Sequence, residues 1–441
     1  WAPGDYRIVN FGNNVKNISF TLKNESVSSR QSATQNTWII PDSADKVTYT
    51  VPNSGPSFFT ENVWVTQDEA FFEGPAIFGY FDANKDTQHE LHIKAHTANA
   101  KSYCALDKRQ NAEHIYIATD YERLIDSPIL ISNKASTREF IVAGKSHYIV
   151  AFRNLNSISI ADFETICTSI VNTTYTIFNE LPYKRYIFFF DVGGSGGGLE
   201  HADSARMAIP RNIRAKNTAT FIAHEFFHAF NVKRIRPAVF TPFDLSKPAV
   251  TGSLWWLEGV TSYYAEAICY RAGINTKQEM LNNLSWTLSS VINNSARTRV
   301  TIEESSLKVW EASNSAGYGG INYYESGTYA GLILDAAIRG GSNGKNSLDD
   351  VLFALYKESN SGKIGFKEDR IKELCAIYGG SQLGALYDML LRSTQSFIGN
   401  DYLNNIGLVY QSNTLRKMNN LTKEAERQYH AWPLQKITDE N

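Results

Sequence analysis

Residues 223–237 read Ala-His-Glu-Phe-Phe-His-Ala-Phe-Asn-Val-Lys-Arg-Ile-Arg-Pro. His224 and His228 stand four apart, so on a helix both imidazoles leave one face and reach a single ion. Asn217 or Thr218 is placed to cap that helix, and Phe221, Phe226, Phe227 and Phe230 supply the apolar surface that would hold it in the interior. Glu225 follows the first histidine directly. It cannot easily be a third ligand, but it is placed to take a proton from a metal-bound water. Two histidines on a helix are also ordinary core residues, so the pair needs a further ligand.

Residues 253–273, SLWWLEGVTSYYAEAICYRAG, supply one. They read as a second, strongly amphipathic helix ending at Gly273, with Glu258 in a Trp-rich apolar surround. A carboxylate among Trp255, Trp256, Leu257 and Val260 is costly to bury unpaired, and a cation is the natural compensation. Two histidines and one glutamate leave a fourth position open, which marks a catalytic rather than a structural site. The competing set His89, His92 and His96 in HELHIKAH is weaker. Leu91, Ile93 and Ala95 alternate there as in a strand, which leaves His92 and His96 on a solvated face with Lys94.

Outward from this centre, residues 1–155 carry short alternating runs between Asn, Gly, Pro and Ser clusters and read as an all-β domain. From Ile160 the period turns helical. The apolar strand RYIFFFDV (185–192) then ends in a glycine run, Gly193-Gly194-Ser195-Gly196-Gly197-Gly198. That run lacks the lysine and spacing of a phosphate-binding loop, and reads instead as a place where a ligand or another backbone approaches closely. Helices dominate to residue 400, and 401–441 read as a polar helical tail. The fold class is therefore α+β, an N-terminal all-β domain followed by a mainly helical domain at 156–400.

The 441 residues suit two or three domains. Forty-three Lys and Arg against 45 Asp and Glu give nucleic acid or an anionic membrane no electrostatic support as partner. No apolar run reaches the roughly 18 residues of a membrane span. The scattered Cys104, Cys167, Cys269 and Cys375 form neither a disulfide framework nor a thiolate zinc set. Trp1 in place of Met is explained by a cleaved secretory leader or by simple truncation, and the expectation taken is an exported protein of the periplasm, medium or cell surface with its leader removed.

HEFFHAFNVKRIRP followed by LWWLEGVTSYYAE closely resembles metallopeptidase family 61, the glycyl aminopeptidase family. YERLIDSP (121–128), GKSHYIV (144–150), GGLEH (197–201), YYESGTYAGLILD (323–335) and NDYLNNIGLVY (400–410) extend the resemblance over most of the chain in the family's order. It implies a gluzincin with a thermolysin-like catalytic domain, one Zn2+ per chain on His224, His228 and Glu258, and Glu225 as general base. Many members carry a PDZ domain after the catalytic part, which this chain is expected to lack. By similarity to the aminopeptidase N family, Glu200 would grip the free α-ammonium of a peptide, with Gly197 and Gly198 letting the substrate backbone lie along the strand. His201 would orient Glu200 or line the pocket. Tyr324, in Tyr324-Glu325-Ser326-Gly327, matches the oxyanion-binding Tyr-x-Lys-Gly segment with Ser326 replacing Lys, and Tyr323 is the alternative. Ser262 stands where an acid often orients a zinc histidine, with Glu266 further along. Lys233, Arg234 and Arg236 either cap the zinc helix or meet a peptide carboxylate.

The expected activity is removal of N-terminal residues, Gly or Ala by family preference, from peptides with a free amine. An endopeptidase on the same centre and a non-catalytic peptide-binding protein with a structural zinc are the alternatives. An intact Glu225 argues against the last, because a structural site needs no base.

Overall fold

The apolar run Arg185–Val192 becomes the middle strand of a five-stranded sheet in a computed structural model that describes residues 2–433 apart from 23, 24, 29–31, 42, 58, 96, 98, 195 and 313–315. The strands are β1 (Ser136–Val142), β2 (Lys145–Arg153), β3 (Arg185–Val192), β4 (Gly198–Glu200) and β5 (Ser204–Ile209), in the order β1-β2-β3-β5-β4. The central pairs β2–β3 and β3–β5 are parallel, and the two edge strands run antiparallel to their neighbours. A strand flanked by parallel neighbours is covered on both faces, which is why the middle of β3, residues 186–190, is an unbroken apolar and aromatic run. Its alternation divides the molecule. Tyr186, Phe188 and Phe190 join the core that the helices share, whereas Ile187 and Phe189 pack with Phe71, Leu130, Val150 and Phe152 on the other face.

The N-terminal part is β-rich and the part after the sheet is helical, as expected. Antiparallel sheets built from strands within residues 16–132 make up the former, including the four-stranded sheet Val63–Val65, Glu69–Phe72, Ile129–Ser132 and Lys101–Tyr103. The hairpin β1–β2 lies before the expected boundary at residue 155, yet it pairs with β3 beyond that boundary. A parallel pairing across a helical crossover leaves no mark in local sequence. The tail from 401 also differs from a purely helical, peripheral segment. Leu408–Gln411 and Thr414–Lys417 form a hairpin, and the fully buried Trp432 donates its indole N–H to the Tyr263 hydroxyl at 3.1 Å. Residues 434–441 of that tail lie outside the described residues.

Four helices frame the centre: α1 (Ile160–Phe178), α2 (Ala219–Phe227), α3 (Thr261–Arg271) and α4 (Tyr323–Gly341). Trp255–Val260 leads into α3 as a π-helical turn, and every residue of it is buried. It is therefore not the exposed-and-buried face expected of an amphipathic helix, because α4 packs directly on it. A Cβ at Gly327 would lie 2.0 Å from the Trp255 carbonyl oxygen and 2.8 Å from Gly259 Cα. Two glycines thus allow backbone to touch backbone, and they place Glu258 one residue from the contact. No described helix is long and apolar enough to cross a membrane, and all four cysteines are free and buried.

Gly327→Ala should overpack this contact and cost roughly 1–3 kcal/mol of stability. Denaturant unfolding checks it, and a wild-type midpoint would show that the close approach is not required.

Candidate metal centre

His224 lies in the last turn of α2, and His228 directly follows the helix with helical dihedrals of −59° and −21°. No side chain caps the start of α2. The Thr218 hydroxyl donates to the Ala215 carbonyl, and a 3-10 turn leads in. Glu258 arrives from the π-helical turn. The His224 and His228 Nε2 atoms stand 3.0 Å apart, and Glu258 Oε2 lies 3.5 and 3.2 Å from them. One ligand atom from each of the three residues falls within 4.8 Å of the others.

The outer ring nitrogens decide what this cluster can hold. His228 Nδ1 donates to the Asn231 carbonyl at 2.8 Å, which can only accept. The Ser262 hydroxyl donates to the Glu258 carbonyl at 3.0 Å and so accepts from His224 Nδ1 at 3.2 Å. With Nδ1 committed as a donor on both rings, each imidazole turns Nε2 inward beside a carboxylate oxygen, where it can take up a proton or a metal ion. Such a set of donors requires positive charge at its centre, and it fits a metal ion. The protonation balance says the same. Burial works to lower the His228 pKa, but the Glu258 carboxylate outweighs it and lifts the group to about 9. Burial and the neighbouring His228 charge push His224 down.

Asn231 ties the two ligand-bearing segments together. Its carbonyl orients His228, while its amide nitrogen donates to the Trp256 carbonyl at 2.9 Å and to the Thr261 hydroxyl at 3.0 Å. Sequence reading passed over it; the local signal was a polar Asn in an otherwise apolar stretch three residues after the second histidine, and its full burial is seen only in the fold. Glu266 faces away to Asn283, so Ser262 alone serves His224.

Glu225 points at the edge strand. A Cβ on Gly198 would fall 2.2 Å from its Oε1, so glycine at 198 makes room for this carboxylate, and Gly197 adopts a φ of +102°. Burial and the Glu200 and Glu258 carboxylates push Glu225 up to about 8, against the pull of His228 and Lys233. Tyr324 is half-buried and stacks over His224, with ring centroids 6.0 Å apart at 29°. Tyr323 is fully buried, its ring centroid 5.0 Å from that of Tyr324.

Glu200 ends β4, buried, and its Oε1 has no hydrogen-bond partner among the described residues. Lys233 Nζ lies 3.9 Å away but is held by Asp126 at 2.9 Å. His201 turns from Glu200 toward Asp126 at 3.3 Å and Glu73 at 3.5 Å, since successive strand residues face opposite ways. Lys233 and His201 together outweigh burial and hold Asp126 well below the usual carboxylate range. The basic run after α2 is thus largely structural. Arg234 donates to the Ala229 and Pro182 carbonyls and to Asp203, and Arg236 to Glu122. Of the rival histidines, His92 is exposed on a strand at 89–92 and His96 lies outside the described residues.

The M61 glycyl aminopeptidase profile matches residues 217–329, and that of the peptidase M61 N-terminal domain matches residues 1–133. The chain belongs to peptidase family M61. An aminopeptidase N family protein from Idiomarina loihiensis superposes with a TM-score of 0.85 at 26% identity, over 93% of this chain and 73% of that one. An M1 zinc metallopeptidase from Deinococcus radiodurans shares the fold at 11% identity, with a TM-score of 0.53 over 79% of this chain and 75% of that one. Comparison with curated protein sequences returned no match. The M61 chain is a metallo-aminopeptidase, and its three-residue cluster lies within the matched catalytic segment.

Asn231→Ala should weaken metal affinity roughly 10–100-fold, as loss of a residue that orients a ligand generally does. Competition with a chromophoric chelator measures it, and unchanged affinity would remove Asn231 from the site's support.

Proposed function

We propose that this M61 enzyme removes small N-terminal residues, Gly or Ala, from peptides, using one zinc ion per chain held by His224 Nε2, His228 Nε2 and Glu258 Oε2. When bound, the ion supplies a Lewis acid for the scissile carbonyl and makes a neighbouring water more acidic. Glu225 takes the proton of the attacking water and hands it to the departing amine. Tyr324, half-buried beside His224, donates its hydroxyl to the oxyanion, whereas Tyr323 is enclosed in the core. The substrate backbone lies along the outer edge of β4, past Gly197 and Gly198.

The observation that carries the exopeptidase reading is the closed end of this lane. Glu200 sits in a small recess walled by Pro3, Gly4, Tyr6, Val232, Lys233, Phe240 and Phe243. A peptide running along β4 meets a wall there, and Glu200 Oε1 offers its ammonium a buried acceptor. Lys233 Nζ stands 3.9 Å from that oxygen and divides its charge between Glu200 and Asp126, but its hydrogen bond goes to Asp126, which leaves Glu200 Oε1 free to accept one. Aromatic and proline walls favour the smallest side chains next to the amine.

Glu225→Gln should retain about one zinc per chain by elemental analysis, yet lose turnover by roughly 10^2–10^4-fold, the usual weight of a general base. Retained activity would dismiss Glu225 from that role. A panel of aminoacyl amides with free and acetylated N-termini tests the rest. Cleavage should be confined to free amines and fall steeply from Gly and Ala to Leu and Phe. Equal cleavage of blocked substrates would make the enzyme an endopeptidase and leave Glu200 without a part.

A further inference from the structure

We propose that Tyr6, carried into the site by the loop Pro3–Arg7 of the N-terminal β region, is a positioning residue that dictates which oxygen of Glu258 faces the histidines. The Tyr6 hydroxyl donates to Glu258 Oε1 at 3.1 Å, while Oε2 is the atom that approaches His224 and His228. A glutamate carboxylate turns in a broad, shallow torsional well, and left to itself can present one oxygen or both to a cation. A charge-assisted hydrogen bond to one oxygen removes that freedom. The ligand set then stays at three atoms, and the position needed for water and substrate stays open.

The loop is built to hold this hydroxyl in place. Tyr6 is 4% exposed, and its ring is gripped edge-on by Trp310 and Tyr323, with centroids 6.5 and 6.3 Å away. Asp5 is buried and accepts from Arg7 Nε at 3.0 Å and from the Thr60 hydroxyl at 3.3 Å, and Arg7 also reaches Glu61. Gly4, with φ at +90°, lies against β4, where a Cβ would fall 2.5 Å from Leu199 Cδ1 and 3.3 Å from Glu200 Oε1. The loop is therefore registered on the strand that carries Glu200. Three residues of this loop, Pro3, Gly4 and Tyr6, wall the recess at Glu200, and Tyr6 also bonds Glu258.

This inference rests on the reading of His224, His228 and Glu258 as the zinc site, and the experiment separates the two. Tyr6→Phe keeps the ring and deletes only the oxygen. It should weaken zinc roughly 10–100-fold in chelator competition and change the visible d–d spectrum of the cobalt-substituted protein, as Glu258 becomes free to use both oxygens. Gly4→Ala, strained at a φ of +90° and crowded against Leu199 and Glu200, should weaken zinc in the same direction. Tyr183→Phe is the control. It deletes an equally buried hydroxyl, bonded to His147 at 2.9 Å, and should leave zinc affinity and the cobalt spectrum unchanged. Wild-type affinity and spectrum in Tyr6→Phe would overturn the role of Tyr6. A wild-type chain that binds no zinc would overturn the metal-site reading itself.

Discussion

Three electron-rich atoms, the Nε2 of His224, the Nε2 of His228 and the Oε2 of Glu258, are held within a few ångströms of one another in the interior. Left alone, such atoms repel, so their meeting has to be enforced from outside. Nearly every uncommon feature near the centre serves that end. Asn231 straps the end of α2 to the Trp255–Val260 turn. Ser262 and the Asn231 carbonyl fix the two imidazole rings. The glycines at 259 and 327 let α4 press the turn inward. The π-helical winding itself aims Glu258, and irregular helix of this kind is frequent at functional sites.

The five-stranded sheet then sets what lies beside the three-residue cluster. Its parallel middle is buried by helices on one face and by the N-terminal β sheet on the other, so only the short edge strand β4 is left to lie beside the metal centre. Gly198 brings that edge against Glu225, and Glu200 closes its end. The N-terminal region is part of the site as well as part of the core, since Tyr6 touches a ligand and Pro3 and Gly4 wall the recess. Lys233, which lines that recess, is held from behind by Asp126, with the Asp coming from before the sheet and the Lys from after α2.

What could be read in advance followed from local rules. A histidine pair four apart shares a helix face, so His224 and His228 had to point together, and the neighbouring Glu225 had to point elsewhere. A carboxylate inside Trp-Trp-Leu-Glu-Gly-Val demanded a cation, which singled out Glu258. The strand alternation of HELHIKAH put His92 and His96 on its polar face, away from any shared ion. The reading erred where the cause was distant. The division at residue 155 cuts a sheet joined by parallel pairing, the polar-looking tail anchors itself through Trp432, and the helix at 253–273 was taken as half-exposed although α4 covers its first turn. The basic run Lys-Arg-Ile-Arg stayed ambiguous, because its partners Asp126, Asp203 and Glu122 lie far back in the chain.

The sequence by itself thus determined the chemistry of the centre: which residues could hold a metal, which could move a proton, and that the site had an open face. Those properties depend on residue type and short spacing, which helix and strand geometry translate directly. Tertiary structure alone decided that Tyr6 bonds Glu258, that His201 serves Asp126 and Glu73 rather than Glu200, and that a loop from the start of the chain walls a recess at Glu200. These contacts join residues separated by tens to hundreds of positions. No local periodicity encodes them, because each depends on how two independently formed elements come to rest against one another.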